Sequence, residues 1–320
     1  MACGLKPSDG SKKNFHRVSL AYCILSHKNP GQVGRLLQTI WHPDNIYVLH
    51  YEKRASRAAH ESIALVAARY PNVRVLRSRP IQWGRYSQLA AQLDALHACA
   101  EWSKDWSHFI NLTGQDFPLL SQSMIMQDLT GRRGTSFVSS FDAFATGQWG
   151  DAKQRVTRVH FDSPALEALL RVPGIGRKVR AMFGWTNQLP FVPFVRRSQP
   201  ASFRYYGGAN HFILSAEAGA YLLHDPRAQK IIRWLRWTGF PEESSVQTAL
   251  MNSHLAASVV NDDRRAIYWA KDGDPSPQTL RLVDLDRLGV ARAEGKLFAR
   301  KFDTSVDDNI LKSLGEYLKR

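Results

Sequence analysis

Apolar residues follow two alternating rhythms through the first half of this 320-residue chain. Val18–Leu25 (VSLAYCIL) and Ile46–Tyr51 (IYVLHY) are short, nearly continuous apolar runs. Such runs suit strands buried on both faces. Between them, Gln32–Trp41 sets Val33, Leu36, Leu37 and Ile40 on one face at helical spacing. The same reading predicts helices at Ser56–Tyr70, Tyr86–Trp102 and Met124–Leu129, and strands at Val73–Leu76, His108–Leu112 and Ser136–Ser139. Strands alternating with helices imply an α/β fold, with a mostly parallel central sheet and helices on both faces. Ligands of such sheets bind beyond the carboxyl ends of the strands.

From about Phe141 to Tyr206 the alternation is lost, and the segment reads as an irregular insertion. Regular patterning returns after Gly208. It predicts a strand at His211–Leu214, helices through Tyr221 and Trp234, and a helix at Pro241. A strand at Ala266–Trp269 and a C-terminal helix from Val306 follow. With no repeats and no low-complexity linker, residues 17–320 read as one domain behind a polar tail, residues 1–16.

Composition narrows the class. The chain is 44% hydrophobic and 22% charged, which is ordinary for a globular protein. No apolar run approaches the ~20 residues of a membrane-spanning helix. Met1–His16 lacks the apolar core of a signal peptide. Cys3, Cys23 and Cys99 show no metal-type spacing, which suits a reduced, cytoplasmic setting. The net charge of +15 fits nucleic acid, an anionic membrane face, or phosphorylated and acidic ligands. No zinc-finger, RNP-type or zipper pattern accompanies it, so no nucleic-acid partner is expected. Arg171–Arg197 concentrates the charge: six basic residues, no acidic ones, and interleaved Met182, Phe183, Trp185, Leu189, Phe191, Val192 and Phe194. That stretch reads either as a solvated loop or as peripheral contact with an anionic membrane, including the inner face of a cell membrane.

Candidate chemistry sits after the strands. Pro241-Glu242-Glu243 reads as a helix start with two dipole-favoured acids, or as a fixed carboxylate aimed at a substrate hydroxyl. Glu52, just past the second strand, can accept hydrogen bonds from ribose hydroxyls or simply decorate the surface. GxGxxG and GxxxxGK[ST] are both missing, against a dinucleotide dehydrogenase or a P-loop kinase. Gln82–Ser87 leads into the long helix. In Asn111–Pro118 (NLTGQDFP) Gly114 is free to turn and Asp116 projects near a strand end.

Seven stretches in order carry a resemblance: Ala21–His27 (AYCILSH), Asn45–Lys53 (NIYVLHYEK), Gln82–Ser87, Asn111–Pro118, Gly207–Leu214 (GGANHFIL), Pro241–Ser253 and Leu297–Asp303 (LFARKFD). On these the chain resembles the core-2/I-branching β-1,6-N-acetylglucosaminyltransferase and peptide O-xylosyltransferase family (glycosyltransferase family 14), in a bacterial-type form. The likeness spans residues 17–319 and fails at 141–206.

The resemblance implies a GT-A type, Rossmann-like fold and inverting transfer of a sugar from a UDP donor to a hydroxyl. N-acetylglucosamine and xylose are the donor sugars it favours. It maps the base to Glu243, with Glu242 standing where the family has aspartate. It maps UDP-sugar binding to Val48, His50, Glu52, Trp83, Gly84, Asp116, Arg281, Arg300 and Lys301, and acceptor stacking to Trp269 beside Tyr268. An inverting displacement needs one base opposite the leaving group, and a neighbouring carboxylate raises the pKa of one of the pair. No cofactor and no metal are expected, because the resemblance assigns the diphosphate charge to Arg281 and Lys301. Asp272-Gly273-Asp274 and Asp284-Leu285-Asp286 read as loop and helix-cap acids. The expected partners are a UDP-sugar donor and a glycan or lipid-linked saccharide acceptor. A saccharide-binding protein on a catalytically inactive scaffold is the competing reading.

Overall fold

The computed structural model describes residues 19–160, 163–183, 191–271, 274 and 276–318. The N-terminal tail with Cys3, Trp185 and Leu189 of the basic stretch, and Asp272-Gly273 lie outside them.

The first half alternates as the apolar pattern predicts: β1 (Leu20–Ser26), α1 (Pro30–Ile40), β2 (Ile46–Tyr51), α2 (Arg57–Ala67), β3 (Val73–Val75), α3 (Tyr86–Trp102) and β4 (His108–Thr113). A short β5 (Asp116–Pro118), α4 (Gln122–Thr130) and β6 (Ser136–Val138) complete it. Residues 141–206 depart from expectation. They are largely regular, with β7 (Phe141–Asp142), α5 (Ala152–Thr157), β8 (Arg158–His160), α6 (Pro164–Arg171), α7 (Ile175–Met182), β9 (Phe191–Arg196) and β10 (Tyr206–Gly207). These elements are short. A small cluster of Leu170 and Phe191 with Leu166, Val179 and Phe183 serves α6, α7 and β9, so no long apolar stripe marks them in the sequence. Then follow β11 (Phe212–Ser215), α8 (Ala216–His224), α9 (Pro226–Leu235), α10 (Ser245–Met251), β12 (Val259–Val260), β13 (Arg265–Ile267), α11 (Leu285–Ala293), β14 (Phe298–Arg300) and α12 (Asn309–Tyr317).

Seven strands form the central sheet in the order β12-β6-β11-β4-β1-β2-β3. β1 pairs parallel with β2 and β4; β11 runs antiparallel between β4 and β6. The strand code explains the apolar runs. Leu20, Tyr22 and Ile24 pack with α1, α4 and α12, while Ala21, Cys23, Ile46 and Val48 pack with α3, α8 and α9. Successive side chains point to opposite faces. With helices on both faces, every position of β2 and every position of β1 but Leu25 is buried.

A second sheet, β13-β14-β5, lies past the end of β4 and sets Arg300 opposite Asp116. It carries the late LFARKFD segment back to the carboxyl ends of the central strands. No helix among the described residues is long and apolar enough to cross a membrane.

Candidate active site

A cavity of about 480 Å³ opens where the parallel strands end. Its wall includes Ser26 and His27 at the end of β1, His50 and Glu52 at the end of β2, and Asn111 through Gln115 at the end of β4 and just past it. Trp83, Gln92 of α3, Asn210 and Arg300 close it. Its place follows from topology, because loops after parallel strands gather on one edge.

The floor is a network of amides. Asn111 accepts from the Phe212 N–H at 2.7 Å, which orients its amide, and its Nδ2 donates to the Asn210 carbonyl at 2.9 Å. Gln92 donates to Asn210 Oδ1 at 2.6 Å, and its own Oε1 has no partner among the described residues. A buried carbonyl oxygen left this way costs free energy until something donates to it.

Charge lines two walls. Glu52 is nearly buried. Its Oε2 accepts from the Ile81 N–H at 2.8 Å and its Oε1 from Arg54 Nε at 2.8 Å. Burial alone would raise its carboxyl; Arg54 and the Ile81 amide outweigh that and hold it below the usual range. Glu52 therefore fixes the loop leading to Trp83 as well as facing the cavity. His50 Nε2 accepts from the Arg79 N–H at 3.0 Å, and burial with the Arg79 charge lowers its pKa, favouring the neutral ring. Opposite, Arg300 Nη1 donates to Thr113 Oγ1 and to Asp116 Oδ1, the latter at 3.2 Å. Asp116 is 1% exposed and does not line the cavity. It anchors Arg300, and that cation with His211 and the Thr113 amide overcomes burial to keep it ionised.

The two glutamates stand beyond Trp83. Pro241–Glu243 is a single 3-10 turn, and α10 starts separately after Ser244, whose φ of −138° breaks the helical run. The expected continuous helix is thus two pieces. Phe240 precedes the turn at φ 52°, with its N–H bonded to the Gly84 carbonyl at 3.1 Å and its ring edge-on to Trp83 at 4.9 Å. Gly84 itself has φ 68°, a conformation glycine adopts without strain. The Glu243 carbonyl accepts from the Gly208 N–H at 2.9 Å. A side chain at Gly208 would sit 1.9 Å from the Ser139 carbonyl oxygen, so only glycine lets this strand approach. Asn210 of the cavity floor is two residues further on.

Glu243 accepts from Arg155 Nη1 at 2.9 Å, and Arg155 also pairs with Asp151 at 2.8 Å. The Arg155 guanidinium lies over Trp149 at 4.1 Å and over Phe240 at 4.5 Å. Burial pushes the Glu243 carboxyl above its ordinary value while Arg155 pulls it down. Glu242 is 2% exposed, its Oε2 lacks a partner among the described residues, and burial plus the Glu243 charge push it well up. One carboxyl of the pair is thus set to stay neutral, and the other, in partial contact with solvent, has the chemistry a general base needs.

Several sequence-predicted residues lie elsewhere. Val48 is fully buried in the core under α3, because its side chain points to the sheet face and not the strand end. Lys301 does not line the cavity and donates to Ser276; burial and the like charges of Arg300 and Lys28 lower its pKa. Arg281 is exposed at the start of a 3-10 turn and does not line the cavity. Tyr268 packs against the core under the Arg287 guanidinium, 3.9 Å above its ring, and neither it nor half-exposed Trp269 lines the cavity. Asp284 caps a turn as expected, accepting from the Arg281 N–H at 2.7 Å. Arg155 and Trp149 went unnoticed in the sequence. The one local signal was the Asp151/Arg155 spacing of an i,i+4 ion pair.

The sequence pattern of the family described as core-2/I-branching enzyme matches residues 20–289. The chain is 25% identical over 331 residues to "Xylosyltransferase oxt" of Drosophila pseudoobscura pseudoobscura, an alignment covering 98% of this chain and 34% of that protein. It is 23% identical over 327 residues to human "Beta-1,3-galactosyl-O-glycosyl-glycoprotein beta-1,6-N-acetylglucosaminyltransferase 3", covering 94% and 68%. The chain thus spans about a third of the first relative and about two thirds of the second. A solved structure of core-mannan synthase A from Aspergillus fumigatus, in its Mn/GDP form, overlaps 86% of this chain and 81% of its own at 10% identity and a TM-score of 0.34. That likeness is too remote to argue from.

Proposed function

We propose that this chain, which belongs to the core-2/I-branching enzyme family, is an inverting glycosyltransferase of GT-A type that moves a sugar from a UDP donor to a hydroxyl of a glycan or glycoconjugate. The observation that carries the reading is the Arg155-held Glu243. It is linked through Phe240 and Trp83 to a strand-end cavity whose far wall presents Arg300. N-acetylglucosamine and xylose, the sugars in the relatives' names, are the donors to test first.

In this reading the nucleoside lies along His50, Glu52 and Trp83, and the diphosphate faces Arg300. The acceptor hydroxyl oxygen attacks the anomeric carbon from the Glu243 side. The bond from that carbon to the diphosphate oxygen breaks, and UDP leaves with the electron pair. Glu243 takes the hydroxyl proton. Fixed cations and strand-end amides stabilise the developing phosphate charge, so no metal is invoked. Lys28 stands near Arg300 and adds to the local positive field; burial together with that field lowers the pKa of His27 and favours its neutral ring.

A thermal-shift and hydrolysis screen of UDP-sugars tests the donor, with NMR of the product anomer for inversion and EDTA for metal dependence. Retention of configuration, or no response to any UDP-sugar, sinks the reading. A catalytically inactive saccharide binder would bind UDP or glycan and release nothing.

The reading includes peripheral contact with an anionic membrane. Phe194 is 99% exposed and Met182 70% exposed. Ile175 is half-exposed, and Arg177, Lys178 and Arg196 are exposed nearby in sequence. Apolar tips among cations fit the boundary between acyl chains and anionic headgroups.

A further inference from the structure

A second concavity, of about 300 Å³, opens on the side of residues 141–206. Asp142, Phe144, Ala145, Gln199, Arg204 and Tyr205 line it. We propose that this groove is an acceptor subsite that holds the neutral sugar units next to the one that reacts. The proposal rests on the transferase reading above and moves acceptor recognition away from Tyr268 and Trp269.

The groove and the base share one framework. Tyr205 lies 6.3 Å from Trp149, ring to ring; Trp149 carries the Arg155 guanidinium, and Arg155 holds Glu243. Tyr205 is buried, which pushes its hydroxyl up to about 12. The two walls are tied by pairing of β7 with β10, and Tyr206 exchanges hydrogen bonds with Thr248 of α10 at 3.0 Å. A chain of three contacts separates the groove from Glu243. An acceptor whose hydroxyl meets Glu243 would, in this proposal, extend its further units toward the groove.

The lining chemistry fits a saccharide. Phe144 is 48% exposed and tilts against Tyr205 at 5.8 Å, leaving an open aromatic face. Sugar rings present apolar C–H faces to such surfaces and hydroxyls to their rims. The rim supplies both hydrogen-bond senses. Asp142 Oδ1 accepts from the Phe144 and Ala145 N–H groups, which fixes the Phe144 turn and leaves Oδ2 open. Gln199 spends its Nε2 on the Phe203 carbonyl, leaving Oε1 to accept. The exposed Arg204 guanidinium is without a partner among the described residues and can donate. With one carboxylate and one guanidinium in the lining, the groove favours neutral rings over a polyanion, which Asp142 would repel.

Phe144→Ala and Arg204→Gln alter exposed side chains that touch neither Glu243 nor the cavity. Wild type, both variants and Glu243→Gln are applied, with UDP present, to an array of neutral and sulfated oligosaccharides one to four units long. Neutral chains of two or more units are expected to bind wild type and Glu243→Gln alike. Each groove variant should weaken that binding about three- to tenfold, the worth of one aromatic or hydrogen-bond contact. UDP affinity should stay unchanged in both. Equal binding by wild type and variants, preference for sulfated chains, or no oligosaccharide binding overturns the subsite. UDP-sugar turnover, measured separately, decides the transferase reading: saccharide binding without turnover overturns that reading and leaves the groove standing.

Discussion

Arg155 donates to Glu243 across 2.9 Å from a short helix 88 residues earlier in the chain. The contact sets two opposed effects on one carboxyl, with burial raising its pKa and the guanidinium lowering it. A base works only when deprotonated, so kcat/KM should fall as pH drops through the Glu243 pKa. Arg155→Gln removes the lowering effect and should move that acid limb to higher pH. Arg155→Lys should restore part of the shift. A pH–rate profile with an unmoved acid limb in Arg155→Gln excludes this coupling.

Glu243→Gln keeps the side chain's size and removes the proposed base. Turnover should fall about 10²- to 10⁴-fold, the usual worth of a positioned general base. UDP affinity, read by calorimetry, should stay within about twofold, because Glu243 lies past Trp83 and outside the cavity lining. Near-normal turnover in this variant would falsify the assignment.

Arg300 lines the cavity and, in the proposed reading, faces the diphosphate. It is the bond donor, and Thr113 and Asp116 hold it in place. Arg300→Ala should weaken UDP binding about tenfold or more, the range expected for a charge-assisted hydrogen bond. Asp116→Asn should weaken it less, since the cation remains but is less firmly held. The same titration in EDTA should give the wild-type affinity. Loss of binding in EDTA would point to a metal in place of Arg300.

The parallel strands and their helices were legible because a helix-covered strand needs an apolar residue at nearly every position, and β1 and β2 come close to that. Residues 141–206 were not, because their elements are short: each gives the core only a few scattered apolar residues, such as Ala152 and Val156 of α5, or rests on the small cluster under α6, α7 and β9. Among site residues, Glu52, His50 and Trp83 fell where strand ends and loops place them. Val48 did not, since a motif gives sequence neighbours and pleating sends alternate neighbours to the other face. Arg155 could not be found from its own neighbourhood. Its partner is a long-range one, brought close only when β10 docks on α10.

Glu242 makes a separate claim on stability. Its folded pKa lies above its unfolded value through burial and the Glu243 charge. Between the two values the unfolded chain binds fewer protons than the folded one, so stability should fall as pH rises through that window. Glu242→Gln removes the titration. It should raise Tm at pH 7 to 8, by about 2–4 °C per kcal/mol recovered, and give no gain below the ordinary carboxylate range. Melting curves of both proteins across pH check the sign. A gain at low pH only would mean that the introduced amide stabilises the fold for some other reason.

Phe194 offers the clearest test of membrane contact. A phenylalanine 99% exposed on a strand gains nothing from folding, yet each large apolar side chain moved from water to acyl chain is worth about 1.5–3 kcal/mol. The exposed Arg177 and Lys178 add about 1 kcal/mol each near an anionic leaflet. Co-sedimentation with phosphatidylserine-containing vesicles should therefore exceed that with phosphatidylcholine alone and decline with salt. Phe194→Ser should lower partitioning about tenfold or more without changing UDP affinity. Arg177→Gln with Lys178→Gln should flatten the salt dependence while leaving the apolar contribution. Vesicle binding that ignores both sets of changes would place the membrane contact elsewhere on the protein, and no binding at all would remove it from the proposed function.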